Sequence, residues 1–572
     1  MIKYKVILII KFMRNKFLFL CLFLFGTLTA CKDTKWVDVP TDTPPEGAVT
    51  GKPGEDEPDD PDDPTEMGLI NCSYIRGDFY DSGRISGKSM ATCNDLIFLA
   101  CRPYADGSLA FELPDAKLTG NATYAAEKSG KNGVLYFNGS ATMNAGDGLL
   151  HSPDGPSKQF TFGTYIYIDE WVADAYLFKK ATSSKTIAAL QLGDGAGKVK
   201  LTVGGLSTEI TNDNLATGGW HYIALSYKTS EIKLDVDNKS AKLTPQNGNT
   251  FPEVPNDRVD FIVGDKFKGY LEETTVWSIS AGTLGKDPIT YPSVWNKTKV
   301  LAYWKYDEAG NLGKDSHSWI TRLEDMRKVM GTPTGTSRFR LGCAGGQWKD
   351  MVKNEGAYTN FANKICEVLA THNLDGVDLD FEWPENSNEG TAYSKAIVEM
   401  SKIFKKNARK VFFTVSIHPF CMNNLTIDAY KATDFVSLQC YGPDTEYYNI
   451  DRFKQKANEA TSIIPKNKLV LGVPFQGTTG IPGEQKGYFD FANSISGPDQ
   501  TQITYTDGKT YTFDGVNAIY NKTKYACENG YAGVMSWDLA VDVDVTDDKS
   551  LLKTVQKAIE DYIFSSGTSE TE

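Results

Sequence analysis

Residues 375–385 read DGVDLDFEWPE, and four acidic side chains, Asp375, Asp378, Asp380 and Glu382, fall within the first eight positions. Val377, Leu379 and Phe381 stand between them. Side chains alternate across a strand, so Asp378, Asp380 and Glu382 share one face, spaced about 7 Å apart, and the apolar set shares the other. Three ionised carboxylates in one low-dielectric stack repel each other, so at least one must hold or share a proton. Glu382, at the carboxyl end, is placed to have a raised pKa and to serve as a general acid near neutral pH. A metal site or a salt-bridged core is the alternative, and no basic residue lies within the strand. Asp375 reads as structural, fixing the turn before Gly376.

A strand of this kind needs a frame that buries its apolar face and opens its acidic one. From Trp319 onward helical and strand patterns alternate: helix over YTNFANKICEVLATHN, the acidic strand, helix over TAYSKAIVEMSKIFKKN, then strands RKVFFTVSIHP, DFVSLQCYG, KLVLGVPFQG and YAGVMSWDL with helices between and after them. Upstream, LINCSYI and NDLIFLACRPYADGSLAF are two further strand-like runs around a polar, helical stretch. Residues 68–112 and 319–563 together suit an α/β fold, a (β/α)8 TIM barrel, with WITRLEDMRKVMG as the helix before its third strand.

Residues 113–318 have another texture. Helical periodicity is replaced by short alternating strands with Gly and Asn turns, among them FTFGTYIYID, KVKLTVGG, WHYIALSY and EIKLDVDN. That pattern predicts an all-β jelly-roll sandwich inserted after the second barrel strand, on the face where barrel active sites sit. The segments GGWHYIALSYKTSEIKLDVDN, FKGYLEETTVWSIS and LAYWKYDEAGN resemble the laminin-G-like, concanavalin-type domains. Trp171, Trp220, Trp277 and Trp304 fit either core positions or sugar platforms.

The acidic strand carries a sharper likeness. DGVDLDFE resembles the DGxDxDxE signature on the fourth barrel strand of glycoside hydrolase family 18, the chitinases and endo-β-N-acetylglucosaminidases. CAGGQW stands where that family has its SxGG strand, SLQCYG at the sixth strand, LGVPFQG at the seventh and GVMSWDLAVD at the eighth. The resemblance implies a retaining mechanism with no enzyme nucleophile, an exception to the two-carboxylate scheme. The substrate's own 2-acetamido oxygen attacks the anomeric carbon to form an oxazolinium ion. By position Glu382 would protonate the leaving oxygen, Asp380 would orient the acetamide, and Asp378 would exchange a hydrogen bond or proton with Asp380. Tyr441 would hold the acetamido carbonyl. Gln439, Trp537, Gly345 and Gly346 would be substrate-binding, with the Trp537 ring as an apolar floor.

Three departures from that pattern stand out. Cys343 replaces the serine of SxGG, the acid after the sixth-strand tyrosine is missing, and the stretch between GVPFQG and GVMSW is too short for a groove-deepening domain. The family-like catalytic strand, the shallow groove that the short stretch implies, an N-terminal lipid tether and a sandwich beside the active face favour an endo-β-N-acetylglucosaminidase acting on the N-glycans of glycoproteins over a chitinase acting on chitin oligomers, with a non-catalytic glycan-binding protein as the third reading. His418 fits a pocket wall or a structural histidine. The resemblance implies no cofactor and no metal.

The remaining features concern placement. A basic stretch, a short apolar run and LTAC at residues 28–31 resemble a bacterial lipoprotein signal, with Cys31 as the lipidated residue. Residues 1–31 are then a signal peptide, 32–67 an extended acidic, Pro-rich stalk and 564–572 a disordered tail. The expected protein is an exported, surface-anchored monomer that meets the membrane through its lipid alone. The formal charge of −13 is local, since eight acids lie in residues 55–66, and no basic field invites nucleic acid. The eight cysteines left after the signal show no framework spacing and read as free thiols, with a disulfide between nearby strands as the alternative. The five histidines form no metal-binding motif.

Overall fold

The computed structural model describes residues 68–76, 84–110, 115–280, 300–316 and 337–567, with Leu323, Met326 and Lys328 between the last two. The signal, Cys31 and the stalk lie outside these residues. So does most of the helix expected over 319–331, of which the three described residues are helical.

Eight parallel strands close into a barrel. They are β1 (Ile70–Arg76), β2 (Asp95–Cys101), β3 (Arg338–Ala344), β4 (Gly376–Asp380), β5 (Phe412–Ile417), β6 (Phe435–Leu438), β7 (Leu469–Pro474) and β8 (Gly533–Trp537). Each pairs with the next, and β8 returns to β1 through Ile70 opposite Gly533. Runs such as FFTVSI and LVLGVP are buried along their whole length, as strands covered on both faces must be.

The covering helices take the opposite pattern. Helix α1 (Glu355–Thr371) is capped by Asn354, whose side chain accepts the Gly356 and Ala357 N–H groups. It buries Ala357, Phe361, Ile365, Val368 and Leu369 on one stripe. Helix α2 (Ser387–Lys406) is capped by Asn386 and starts a turn earlier than its apolar pattern predicts, with Lys405 and Lys406 in the last turn facing its negative end. Helix α3 (Val516–Glu528) and the last helix, α4 (Leu551–Gly567), close the ring. Helix α4 runs four residues past the expected end at 563, and the Ser565 and Ser566 hydroxyls bond back to the Tyr562 carbonyl.

Between β2 and β3 the chain builds two antiparallel sheets, an all-β domain inserted into the barrel. Strand Trp220–Lys228 shows how they pack. Ile223, Leu225 and Tyr227 point into the inter-sheet core, while Tyr222 and Ala224 join an outer cluster with Trp277 and Tyr303. Trp304 lies in the inner core, and Trp171 and Trp220 are half-buried. The two ends of the insert meet: the Ala116 N–H donates to the Gly313 carbonyl over 2.7 Å.

Residues 476–512 differ from the sequence reading, which assigned no strand beyond the barrel there. Gln476–Thr478, Gln485–Gly487, Gln502–Thr504 and Thr510–Thr512 form a four-stranded antiparallel sheet between β7 and α3. Its strands are three residues long and rich in Gln, Thr and Gly, so they carry no apolar alternation to read. The eight cysteines Cys72, Cys93, Cys101, Cys343, Cys366, Cys421, Cys440 and Cys527 are free thiols.

Candidate active site

β4 owes its position to the two residues before its acids. Asp375 accepts the Phe339 N–H at 2.7 Å and lies 3.7 Å from Arg409, which ties the start of β4 to β3. At Gly376 a Cβ would stand 1.9 Å from the Phe412 carbonyl, so only glycine allows β5 to lie this close.

Inside the barrel the acids form a ladder. At its foot Asp95 forms an ion pair with Arg338 at 2.9 Å and accepts the Arg340 Nε–H at 2.8 Å. Arg340 is fully buried, bonds Thr414, and brings Nη1 to 3.9 Å from Asp378. The sequence places no base within β4, yet β3 supplies one to its lowest carboxylate. Asp378 also accepts three hydroxyls: Tyr74 at 2.6 Å, Thr414 at 2.5 Å and Ser416 at 3.0 Å. Burial and then the Asp378 charge push the Tyr74 phenol up, which keeps it a donor.

One step higher, Asp380 is buried and accepts Gln439 Nε2 at 3.1 Å. Its carboxyl is pushed well above the usual range by burial and next by Asp378, against the Gln439 hydrogen bond. Glu382 stands two residues past β4 and is half-buried. Burial, then Asp380, pushes it up strongly, and the Gln439 amide again opposes. Gln439 is 2% exposed and its Oε1 is buried without a hydrogen-bond partner among the described residues, so the amide between the two acids holds an unused acceptor there.

Two aromatic rings line the same end. Tyr441 has its hydroxyl 3.8 Å from the Met535 sulfur, and a Cβ on Gly472 would lie 2.8 Å from its ring. Trp537 ends β8 half-buried, packs edge-on against Tyr74 at 5.2 Å and lies under the Arg76 guanidinium at 5.5 Å. Arg76 in turn pairs with buried Asp538 at 2.6 Å. The peptide bonds Glu382–Trp383 and Trp537–Asp538 are cis.

Asp378, Asp380, Glu382, Gln439, Tyr441 and Trp537 therefore converge at one end of the barrel. His418 belongs to the frame. Its Nδ1 accepts the Phe420 N–H, its Nε2 faces the Tyr441 carbonyl at 3.1 Å, and burial lowers its pKa to about 3. Cys343 lies in the barrel's outer core beside Cys101. Gly345 and Gly346 form a left-handed turn after β3 and face Arg102 and Asp154.

Sequence reasoning missed Tyr74, Arg340, Thr414, Ser416, Arg76 and Asp538. The alternation Thr414, Ser416, His418 along FFTVSIHP was a readable polar face, and Cys72, Tyr74, Arg76 along INCSYIR was another.

The comparisons name the family of this barrel with acids stacked along its fourth strand. Residues 284–542 match the model described as "Glycosyl hydrolases family 18", and residues 170–278 match "Laminin G domain". The chain carries a glycoside hydrolase family 18 barrel with an additional laminin-G-like domain. The first match spans β3 to β8; β1 and β2 come from before the insert. Mouse chitotriosidase-1 is 21% identical over 285 residues, covering 39% of this chain and 59% of its own length. Chitinase A1 of Niallia circulans is 22% identical over 276 residues, covering 35% of this chain and 39% of its own. The chain thus spans less than two thirds of these relatives. Among solved structures, the chitinase ChiB of Flavobacterium johnsoniae is 25% identical with a TM-score of 0.35, over 42% of this chain and 80% of that one.

Proposed function

We propose that the protein is a retaining glycosidase that cleaves β-1,4 bonds next to N-acetylglucosamine, acting from the cell surface on the chitobiose core of N-glycans. The observation that carries the chemistry is the graded ladder of Asp378, Asp380 and Glu382 with the Gln439 amide between the upper two. Glu382, held protonated by burial and by Asp380, gives its proton to the glycosidic oxygen as the C1–O bond breaks. The acetamido carbonyl of the substrate closes on C1 from the other face, and Asp380 accepts the acetamido N–H and offsets the developing positive charge. Glu382, now a carboxylate, takes a proton from the water that opens the oxazolinium, which restores the enzyme and retains the anomer. Tyr441 and Trp537 hold the reacting sugar, and the hydroxyls on Asp378 fix the foot of the ladder.

A second reading, cleavage of chitin oligomers, draws support from the relatives, named chitotriosidase-1 and chitinase A1, and from the small sheet at 476–512, which adds structure after the carboxyl end of β7. The test is to incubate the protein with an N-glycosylated protein and with chitin oligomers and to weigh the products. A glycoprotein left with one N-acetylglucosamine supports the first reading. Chitobiose from chitin with the glycoprotein intact supports the second. If neither is cut while Glu382→Gln and wild type bind sugar alike, the reading as an enzyme falls.

A further inference from the structure

The insert does not stand apart from the barrel; it is bolted to the loops that follow β2 and β3. Tyr104 meets His151 at 2.6 Å, Arg258 bonds Ser108 at 2.6 Å and pairs with Asp106 and Asp147, and Gln347 Nε2 donates to the Pro153 carbonyl at 3.3 Å. These loops leave the carboxyl ends of the strands, the side on which Glu382 lies.

At the inner edge of this junction the insert's Asp154 bridges two barrel groups. One oxygen accepts the Gly346 N–H at 3.2 Å and the other pairs with Arg102. β3 pairs with β4 as far as Ala344 opposite Asp380, and Gly346 lies in the turn that follows β3, at the same end of the barrel as Glu382. The pair is open to solvent, with 40% of the Arg102 side chain and 27% of the Asp154 side chain exposed. Of the guanidinium's five N–H donors, only Nη1 has a partner among the described residues. Donors fixed by a carboxylate and open to solvent suit the vicinal hydroxyls of a sugar.

We propose that Arg102 and Asp154 form a saccharide subsite at the seam between insert and barrel, so that the inserted domain helps select extended glycans over short ones. The subsite rests on the hydrolase reading above. A sugar unit of the substrate's arm lies over β2 and β3 and takes hydrogen bonds from the unpaired Arg102 donors while Asp154 holds the guanidinium in place. Gly345 leaves room for that arm, since the nearest heavy atoms to a Cβ there are those of Arg102 itself, whereas Gly346 packs against the Pro103 carbonyl.

The test compares an aryl chitobioside with two extended substrates, chitohexaose and an N-glycosylated protein. In Arg102→Ala and Asp154→Ala, the ratio of kcat/KM for the better extended substrate to that for the aryl chitobioside falls about tenfold, mostly through KM, and Arg102→Lys recovers part of it. Arg258→Ala loosens the same junction away from the glycine turn and leaves the ratio where it was. An unchanged ratio in Arg102→Ala and Asp154→Ala overturns the subsite while the hydrolase reading stands, as does an equal fall in Arg258→Ala, which would reduce the pair to domain docking. No turnover of any substrate by the wild type overturns the hydrolase reading, and the subsite with it.

Discussion

Gln439 donates its amide to Asp380 across 3.1 Å and thereby sits between the two upper acids of the ladder. Burial raises Glu382 most, Asp380 raises it further through its charge, and Gln439 lowers both acids through hydrogen bonds. On top of burial, the proton affinity of the acid is thus set by two neighbours that pull in opposite directions.

This opposition fixes a pH response. A general acid works only while protonated, so activity declines as pH rises through the pKa of Glu382. Asp380→Asn removes the charge that raises it, and the alkaline limb of the residual activity moves to lower pH. Gln439→Leu removes the bond that lowers it, and the limb moves to higher pH. Profiles of kcat/KM for the three proteins check both signs; shifts in the same direction would refute the arrangement.

Replacement of the acid itself is the simplest test. Glu382→Gln keeps the shape and removes the proton, and turnover drops about 10³-fold with the thermal midpoint unchanged. Circular dichroism and an aryl-chitobioside assay measure the two halves of that statement.

The foot of the ladder contributes in kind. Tyr74→Phe takes one of three hydroxyls from Asp378 and lowers kcat about tenfold with little effect on KM, because Tyr74 acts through Asp378. Asp95→Ala strands two guanidiniums, one of them fully buried, and costs about 3–5 kcal/mol of stability, read as a fall in the denaturant midpoint.

His418 links the frame to pH in a different way. Its folded pKa, about 3, lies below the unfolded value near 6.5, so its contribution is complete above pH 6.5 and is lost as pH falls toward 3. The span amounts to roughly 5 kcal/mol. In His418→Gln the melting temperature declines less steeply between pH 7 and pH 4 than in the wild type, whatever its value at neutral pH.

Gly472 tests the seat of Tyr441. An added methyl would meet both the Leu438 carbonyl and the Tyr441 ring at 2.8 Å. Gly472→Ala therefore costs about 1–3 kcal/mol and raises KM as the ring is displaced.

The acidic ladder was legible because it lies on one strand, where a period of two is written directly in the residues. Its supports were not, because they are gathered from strands far apart in the chain. Tyr74 and Asp378 are separated by 304 positions, and only closure of the barrel brings them together. Arg340 illustrates the same limit: a base on a neighbouring strand leaves no trace in the acidic segment it serves. The small sheet after β7 escaped for the opposite reason, since polar three-residue strands resemble loops. In the insert, alternation revealed the strands, but the fates of Trp277 and Trp304, both buried, and of Trp220, half-buried, depend on which face each strand presents.

The hydrogen bond from Ala116 to Gly313 has a kinetic consequence. Pairing β2 with β3 would otherwise require closing a loop of more than two hundred residues, and the entropic cost of closure grows with length. An insert that folds first delivers its two ends side by side, and the barrel then meets it as a short turn. Synthesis favours the same sequence of events, because the whole insert is made before β3. The expected order of assembly is sandwich first and barrel second, and slowing the insert's folding would then delay closure of a barrel whose own strands are unaltered.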